Sequence, residues 1–307
     1  MPPENFRCMR ALAGLVFLLA STGVPAAADA GSARADSSTQ RQQSPSDPPR
    51  WLWGEWSRDW ISRGNSRSGA VEVHYLQTPT YFADIRIPKD RGAISTAKSF
   101  SDLTDDQLLI LARQNGFAGR TTLVGDVATW SDEVAFQPSD GSPDTGRLVR
   151  TASDRMHEVG LDGSYIESWR HLPGARGPFL VIREEHAGRL SRILVVVGNR
   201  FLYVRNREKD LPVATSLEAL IAATKASREE IVAFLNCEFS TGRVRGGAVS
   251  WEILQSTLPW RETHHLDFVD EITTNAGSPA PRVVGANQWS VPVNTFSEGE
   301  IQALFAR

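Results

Sequence analysis

The stretch from Arg189 to Arg207 constrains the fold most, because its sequence RLSRILVVVGNRFLYVRNR is apolar on two faces. Gly198 and Asn199 separate two β-rich runs, and both residue types tolerate the positive φ that a tight two-residue turn needs. We expect Val197 to pair with Arg200 across this turn. One face then carries Ile193, Val195, Val197, Leu202 and Val204, and the other carries Leu194, Val196, Phe201 and Tyr203. Both faces must be covered, so the hairpin is expected at the centre of the molecule.

Two predicted helices follow this hairpin and are the candidates to cover one of its faces. Residues 215–226 and 227–236 have helical periodicity, and Ser227 with Glu230 forms a capping box. We expect this helical insertion, residues 215–236, to pack on the face that carries Leu194, Phe201 and Tyr203.

The N-terminal 28 residues have the pattern of a signal peptide. Arg7 and Arg10 precede the apolar run 11–20, which is too short to span a bilayer, and Ala26–Ala28 offers small residues for cleavage. Residues 29–49 are polar and rich in Ser, Gln and Pro, which predicts a disordered linker. The pattern predicts a periplasmic or secreted protein with no transmembrane segment after cleavage.

Composition narrows the function classes. The chain has a net charge of −3, and acids and bases are interspersed without a basic stripe, so we predict no nucleic-acid partner. Cys8 would leave with the signal peptide, which leaves Cys237 alone and excludes an internal disulfide. We interpret Cys237 as a buried small hydrophobe rather than a nucleophile.

The sequence predicts no metal site, no cofactor and no catalytic residue. The densest group of reactive side chains, residues 260–267, offers at most two ligands on each face of a predicted strand, whereas a metal usually needs three. The patterns typical of haem attachment, zinc proteases, serine hydrolases and phosphate-binding loops do not occur.

Regularly spaced short strands predict a mainly β fold with a few helices. About seven or eight strands precede Pro173 and about eight follow it, and these numbers are sufficient for two small antiparallel barrels. The segment 173–178 is rich in Pro and Gly and is the best internal break. We therefore predict two antiparallel lipocalin-like barrels in tandem, over residues 50–173 and 178–307.

Two stretches of the predicted first barrel carry unusual side chains. Residues 51–61 contain four tryptophans, and the Gly54-x-Trp56 pair resembles the opening of lipocalin-like barrels, where a Trp plugs one end. The alternative is a Trp-rich edge that packs on a core. The strand 81–87 alternates, so Asp84 and Arg86 point the same way. They form either a solvated face or the polar floor of a pocket.

Four segments, taken in order along the chain, are similar to fungal Hri-type proteins, which consist of two lipocalin-like (calycin) barrels in tandem. They are Tyr81–Pro88 with Arg91 and Gly92, Tyr165–Trp169, Ile193–Gly198 and Gly247–Ile253. The resemblance implies tandem barrels. It implies no catalytic residue, because the matching segments are structural strands. The signal segment, the helices at 215–236 and everything after Ser256 depart from the family.

The leading hypothesis is a protein without enzymatic activity that binds a small apolar or amphipathic ligand in a barrel. Its candidate ligand contacts are Trp56, Arg58, Tyr75, Phe82, Asp84, Arg86, Trp169, Phe201, Tyr203, Arg205 and Trp251. One alternative is an enzyme for a lipid-like substrate, which needs a buried titratable group inside a barrel, for which the carboxylates beside predicted strands are Glu167, Glu184 and Glu185. Another is an envelope structural or partner-binding protein that docks through residues 51–60.

Overall fold

The computed structural model describes residues 44–94, 96–245, 251–274, 281–285 and 288–306. The predicted signal peptide, residues 1–28, lies outside this range, as do residues 29–43 of the predicted linker and residues 247–250 of the last segment used for the resemblance. We expected order to begin at Trp51. The described chain already packs at Ser46, whose backbone exchanges two hydrogen bonds of 2.8 Å with that of Leu123.

The first half of the chain forms one antiparallel sheet of nine strands. They are β1 (Gly54–Arg63), β2 (Ser66–Ser68), β3 (Val71–Gln77), β4 (Tyr81–Pro88), β5 (Asn115–Val124), β6 (Val127–Ala135), β7 (Asp144–Ala152), β8 (Arg155–Val159) and β9 (Ile166–His171). Because β1 pairs with both β3 and β9, eight of these strands close into a barrel, and the short β2 lies beside β1. The prediction of a mainly β protein with a closed antiparallel barrel is confirmed for this half.

The second half does not form the second barrel that the strand count predicted. Its strands are β10 (Phe179–His186), β11 (Arg189–Val197), β12 (Arg200–Arg205), β13 (Glu238–Val244), β14 (Trp251–Ser256), β15 (Ile272–Thr273), β16 (Arg282–Val283) and β17 (Trp289–Asn294). Six of them form an open sheet in the order β14-β13-β12-β11-β10-β17, while β15 and β16 form a separate ribbon. The edge strand β14 is flanked by residues 263–266 instead of β17, so the sheet does not close on itself.

The helices are short and capped. They are α1 (Asp105–Leu111), α2 (Leu217–Thr224), α3 (Arg228–Leu235) and α4 (Glu298–Leu304), and 3-10 turns cover Lys89–Ile94, Phe100–Asp102, Pro259–Arg261 and Asp267–Glu271. The capping box predicted at Ser227 and Glu230 is confirmed. Residues 260–268, which we expected to form a strand, contain two of the 3-10 turns. Within the described ranges, no helix has the length and apolar composition needed to traverse a bilayer.

The central hairpin has the predicted register. Val197 pairs with Arg200, and Gly198 has a φ of +59°, so the first turn position requires glycine. The two faces lie in two separate cores. The prediction for the helices is wrong: α2 and α3 pack on the face of Ile193 and Val195, because the chain after β12 returns to the barrel side. Phe268, Val269, Ile301 and Leu304 cover the opposite face.

The open sheet packs against the outer wall of the barrel, so the two halves share one apolar core. From the barrel it includes Ala83, Ile85 and Ile87 of β4. Arg207 strengthens the junction, because its guanidinium donates to the backbone carbonyls of Ala135 and Phe136, each at 2.7 Å. Since β4 is covered outside by the sheet, its alternate residues must point into the barrel.

Candidate functional site

One end of the barrel is closed by the segment that leads into β1. Residues 46–52 run from the end of β5 to the start of β1, and Leu52 is fully buried. Trp56 follows inside the barrel. Its indole N–H donates to the carbonyl of Leu52 at 2.8 Å, and its ring lies 4.8 Å from that of His171. Gly54 permits this packing, because a Cβ there would lie 2.2 Å from the His171 ring.

Toward the other end, strand register brings a set of side chains into the barrel interior. Tyr75, Asp84 and Phe117 are directly opposite one another on β3, β4 and β5, so they point to the same side of the sheet. In the same way Arg58 and Trp169 are paired on β1 and β9. The interior therefore has aromatic rings next to charged groups.

A small cavity lies among these side chains. Its volume of about 20 Å³ is room for the centres of one or two water-sized groups and excludes a lipid chain. It is lined by Tyr75, Asp84, Arg86, Asn115, Phe117, Trp130, Asp144, Met156, Glu158 and Trp169. Arg86, Asn115, Asp144 and Glu158 lie near the strand ends opposite the Trp56 plug, so the cavity is nearer that end.

Ion pairs link strands across the interior. Arg86 donates from Nε to Asp84 Oδ1 at 2.8 Å, and its Nη1 lies 3.6 Å from Glu167 Oε1. Arg58 forms a hydrogen-bonded ion pair with the same Glu167 oxygen. The Arg86 guanidinium also lies over the ring of Phe117, 5.0 Å from its centre. Two guanidinium groups thus hold two buried carboxylates in fixed positions.

Burial and neighbouring charges shift the pKa values of the interior carboxyl groups in different directions. Burial raises the pKa of Asp84 to about 6, although Arg86 acts in the opposite direction. Burial, followed by the negative charge of Glu167, holds the pKa of Glu158 well above its usual value. Burial also disfavours the charged form of Glu167, but Arg58 and Arg86 outweigh it and hold that pKa below its usual value.

Hydrogen bonds fix the aromatic wall on the other side of the cavity. The indole of Trp130 donates to the hydroxyl of Tyr75 at 3.1 Å, which reaches from β6 to β3. The Tyr75 hydroxyl donates to Gln77, whose side-chain oxygen also accepts from Thr121 at 2.8 Å. Burial raises the pKa of Tyr75 well above its usual value, so its hydroxyl remains a neutral donor.

Three buried polar atoms in this interior have no hydrogen-bond partner among the described residues. They are Oδ2 of Asp84, Oε2 of Glu167 and the indole nitrogen of Trp169. These side chains are at most 2% exposed, and Asp84 and Trp169 line the cavity. Unpaired buried polar atoms are rare in proteins and each costs about 1–3 kcal/mol, so the cavity has unsatisfied capacity for a ligand or water.

Seven of the eleven predicted ligand contacts lie in the barrel. They are Trp56, Arg58, Tyr75, Phe82, Asp84, Arg86 and Trp169. Of the two readings of β4, the solvated face is wrong, since Asp84 and Arg86 line the interior cavity. Whether these side chains bind a ligand stays a prediction.

The other four predicted contacts lie away from the cavity. Phe201, Tyr203 and Trp251 pack in the core on the far face of the open sheet, where Tyr203 stacks on Phe268 at 5.1 Å. Arg205 is the last residue of β12, and its guanidinium donates to the side-chain oxygen of Asn236 at 3.0 Å. They were expected to line a second barrel, and the open sheet offers no interior for them to line.

Sequence reasoning missed Asn115, Phe117, Trp130, Asp144, Met156 and Glu158 of the lining. The period-2 pattern places Met156 and Glu158 on the same face of the short β8. The pattern alone does not tell which face of a barrel strand points into the interior.

Comparisons with known proteins add little to this description of the site. No family model and no curated protein matches the chain. Among solved structures, an uncharacterized protein from Saccharomyces cerevisiae aligns with a TM-score of 0.44 and 12% sequence identity, over 79% of this chain and 99% of the yeast chain. The resemblance to fungal Hri-type proteins therefore stays a prediction.

Neither a metal cluster nor an exposed thiol is found among the described residues. The described ranges contain no group of three His, Cys, Asp or Glu side chains placed to hold a metal ion. Cys237 is a fully buried free thiol whose pKa is raised by burial, as expected for a small core residue.

Proposed function

We propose that the barrel binds a small amphipathic molecule in the cavity beside Asp84 and Trp169. The observation that carries this proposal is that Asp84 and Trp169, two side chains that line an aromatic-walled cavity, each have a buried polar atom without a partner. A bound molecule would satisfy those atoms and cover the rings of Phe117 and Trp130. The N-terminal sequence extends the proposal to a protein that acts after export.

The size of the cavity limits the ligand. A volume of about 20 Å³ encloses only one or two water-sized groups, and the charged floor favours polar ones, so the cavity suits the polar groups of a small amphipathic molecule better than the purely apolar ligand that was also considered from the sequence. A longer molecule would need its remainder to extend out of the barrel. The end opposite Trp56 is the route for it, because residues 46–52 close the other end.

Intrinsic fluorescence tests this proposal, because Trp130 and Trp169 line the cavity. We expect short-chain alcohols and amines to change the emission with saturation, while long fatty acids, retinoids and haem leave it unchanged. The Trp169→Phe variant should lose most of the change. The Trp260→Phe variant is the matched control, since Trp260 packs on Phe100 outside the barrel. The absence of any saturable change across the panel would contradict binding in the cavity.

A second candidate function is catalysis in the same cavity. The observation in its favour is Asp84, a fully buried carboxyl with a pKa of about 6, which suits a general acid or base near neutral pH. The small cavity restricts the substrate to a small molecule instead of the lipid-like one considered from the sequence. Recovery of an unchanged ligand after long incubation distinguishes binding from turnover.

Docking of a partner through the tryptophan-rich segment is less well supported. Trp56 is buried, Trp51 packs edge-on against it at 6.4 Å, and Trp53 packs against Phe179 at 5.7 Å. Trp60 is half-buried, with the Arg67 guanidinium 3.9 Å from its ring centre. These rings serve the packing of the barrel and do not form a contiguous exposed patch.

A further inference from the structure

The unpartnered atoms of the cavity define the chemistry of its ligand. Among the lining side chains, Oδ2 of Asp84 is an acceptor on a carboxyl group, and the indole nitrogen of Trp169 is a donor. We propose that the ligand is a small organic ammonium ion that also carries a hydroxyl or carbonyl oxygen, such as a short amino alcohol. The ammonium group would donate to Asp84, and the oxygen would accept from Trp169. This inference rests on the proposed binding function.

The balance of charge in the interior favours a cation. Four carboxyl groups, on Asp84, Asp144, Glu158 and Glu167, face the two guanidinium groups of Arg58 and Arg86. The pKa of Glu158 is raised by burial, which favours its neutral form, but the other three carboxyl groups still outnumber the two guanidinium groups. One bound ammonium ion would neutralise this excess, and the low dielectric of the interior strengthens that attraction.

The aromatic walls also suit a cation. The rings of Tyr75, Phe117, Trp130 and Trp169 line the cavity, and a cation within about 6 Å of a ring centre is attracted to its face. Arg86 already makes such a contact with Phe117, at 5.0 Å from the ring centre. An alkylammonium ion can use a second ring in the same way, while its carbon atoms contact the apolar side chain of Met156.

An anionic ligand fits this interior poorly. Both guanidinium groups are already paired, Arg58 with Glu167 and Arg86 with Asp84 and Glu167. A carboxylate or phosphate would have to displace those pairs and lie beside two buried negative charges. The repulsion between these charges would be only weakly screened in a site with little water.

A matched series of three-carbon compounds tests the inference: 3-amino-1-propanol, propylamine, 1-propanol and propionate. Ligand-observed NMR and calorimetry measure their binding. Sodium chloride is the control for a bare cation. We expect the amino alcohol to bind most tightly, propylamine next, and propionate not at all. If propanol or propionate binds as tightly as propylamine, the ammonium inference is overturned while the binding function stands. If no member of this series binds but a larger molecule changes the tryptophan fluorescence, the ammonium inference is again overturned and the binding function stands. If neither the series nor a larger molecule binds, both proposals are overturned.

Two variants assign the contacts. Asp84→Asn should weaken the amines about 10-fold or more, which corresponds to the loss of one charge-assisted hydrogen bond. Asp126→Asn, at an exposed carboxylate paired with Arg147 on the same barrel, is the matched control and should change nothing. Trp169→Phe should remove the advantage of 3-amino-1-propanol over propylamine. An unchanged amine affinity in Asp84→Asn overturns the inference.

The wild-type protein provides an independent test that needs no folded variant. The charged groups that face Asp84 are Arg86 on its own strand, Arg58 on β1 and Glu167 on β9, with the Tyr75 hydroxyl on β3. Asp144 on β7 and Glu158 on β8 line the same cavity. With a pKa of about 6, Asp84 becomes protonated as the pH falls from 7.5 to 5, while an aliphatic ammonium ion stays charged. Amine affinity should therefore fall several-fold over this range while propanol affinity stays constant, and a flat amine profile contradicts the inference.

Discussion

At the scale of single residues, the barrel interior is an arrangement of buried charges that is costly to assemble. Removing a carboxylate and a guanidinium from water costs several kcal/mol per ion, and the mutual attraction offsets this only when the geometry is good. Arg58, Arg86, Asp84 and Glu167 meet that condition through two direct ion pairs and one further contact at 3.6 Å. Breaking a pair is therefore much worse than removing a neutral group.

Two similar substitutions at residues 167 and 158 test this assignment. Glu167→Gln should cost about 3–5 kcal/mol of unfolding free energy at pH 7, because it leaves Arg58 buried without its counter-charge. Glu158→Gln should cost less than about 1 kcal/mol, because the raised pKa favours the neutral form of that side chain and an amide oxygen can still accept from Tyr165. Urea denaturation measures both values.

The pH dependence of that difference has a defined sign. The pKa of Glu167 is depressed in the folded state, so its contribution to stability is complete above the unfolded value and is lost as the pH falls through the folded one. The gap between the two variants should narrow under acidic conditions. Equal losses at pH 7 would show that the protonation states of the two carboxyl groups are misassigned.

The sequence predicted part of this residue arrangement. The alternation of β4 placed Asp84 and Arg86 on one face with Phe82, and the structure puts that face inside the barrel. Which face points inward could not be read from β4 alone, because the outer face is also apolar and packs on the open sheet. That choice depends on contacts between residues that are more than a hundred positions apart.

At the scale of secondary-structure elements, local turn chemistry was the most predictable feature. The register of the central hairpin follows from Gly198 and Asn199, and the capping box at Ser227 marks a true helix start. The face that α2 and α3 cover was predicted wrongly, because that choice depends on where the barrel lies. Local signals fix the elements, and long-range packing decides their partners.

The bulge in β6, where Glu133 is the extra residue, depends on a glycine in the facing strand β5. The pairing of β5 with β6 shifts register between Ala118 and Gly119, and a Cβ at Gly119 would lie 2.0 Å from the carbonyl oxygen of Ser131. Gly119→Ala should therefore cost about 2 kcal/mol or more by displacing backbone.

The matched control for this substitution is Gly299→Ala in α4. A Cβ there meets nothing within 4 Å, so the change should be neutral or stabilising by up to about 1 kcal/mol. Thermal unfolding of the two variants measures the difference. A Gly119→Ala protein that is as stable as the control would mean that the bulge does not have this backbone geometry.

At the scale of the whole molecule, the barrel and the open sheet are joined by one core. The outer wall of β4 and the inner face of β11 belong to the same buried cluster, together with α2 and α3. The strand count predicted two barrels, but closure depends on whether the two edge strands meet. In the second half the C-terminal turns and α4 cover the far face, and β14 and β17 stay at opposite ends of the sheet.

This architecture leaves one interior in the described chain that combines charge, aromatic walls and unsatisfied polar atoms. The open sheet has packed cores on both faces, and those cores contain Phe201, Tyr203 and Trp251. The barrel has an apolar plug at Trp56 and a polar network nearer its other end. The central claim is therefore that this end of the barrel interior accepts a small cationic molecule.

A crystal structure of the protein soaked with 3-amino-1-propanol tests that claim most directly. The account predicts density for the ligand inside the barrel, with its nitrogen within hydrogen-bonding distance of Asp84 and its oxygen near the indole nitrogen of Trp169. Density for the ligand between the barrel and the open sheet, or a barrel interior that contains only water at saturating ligand, would contradict it.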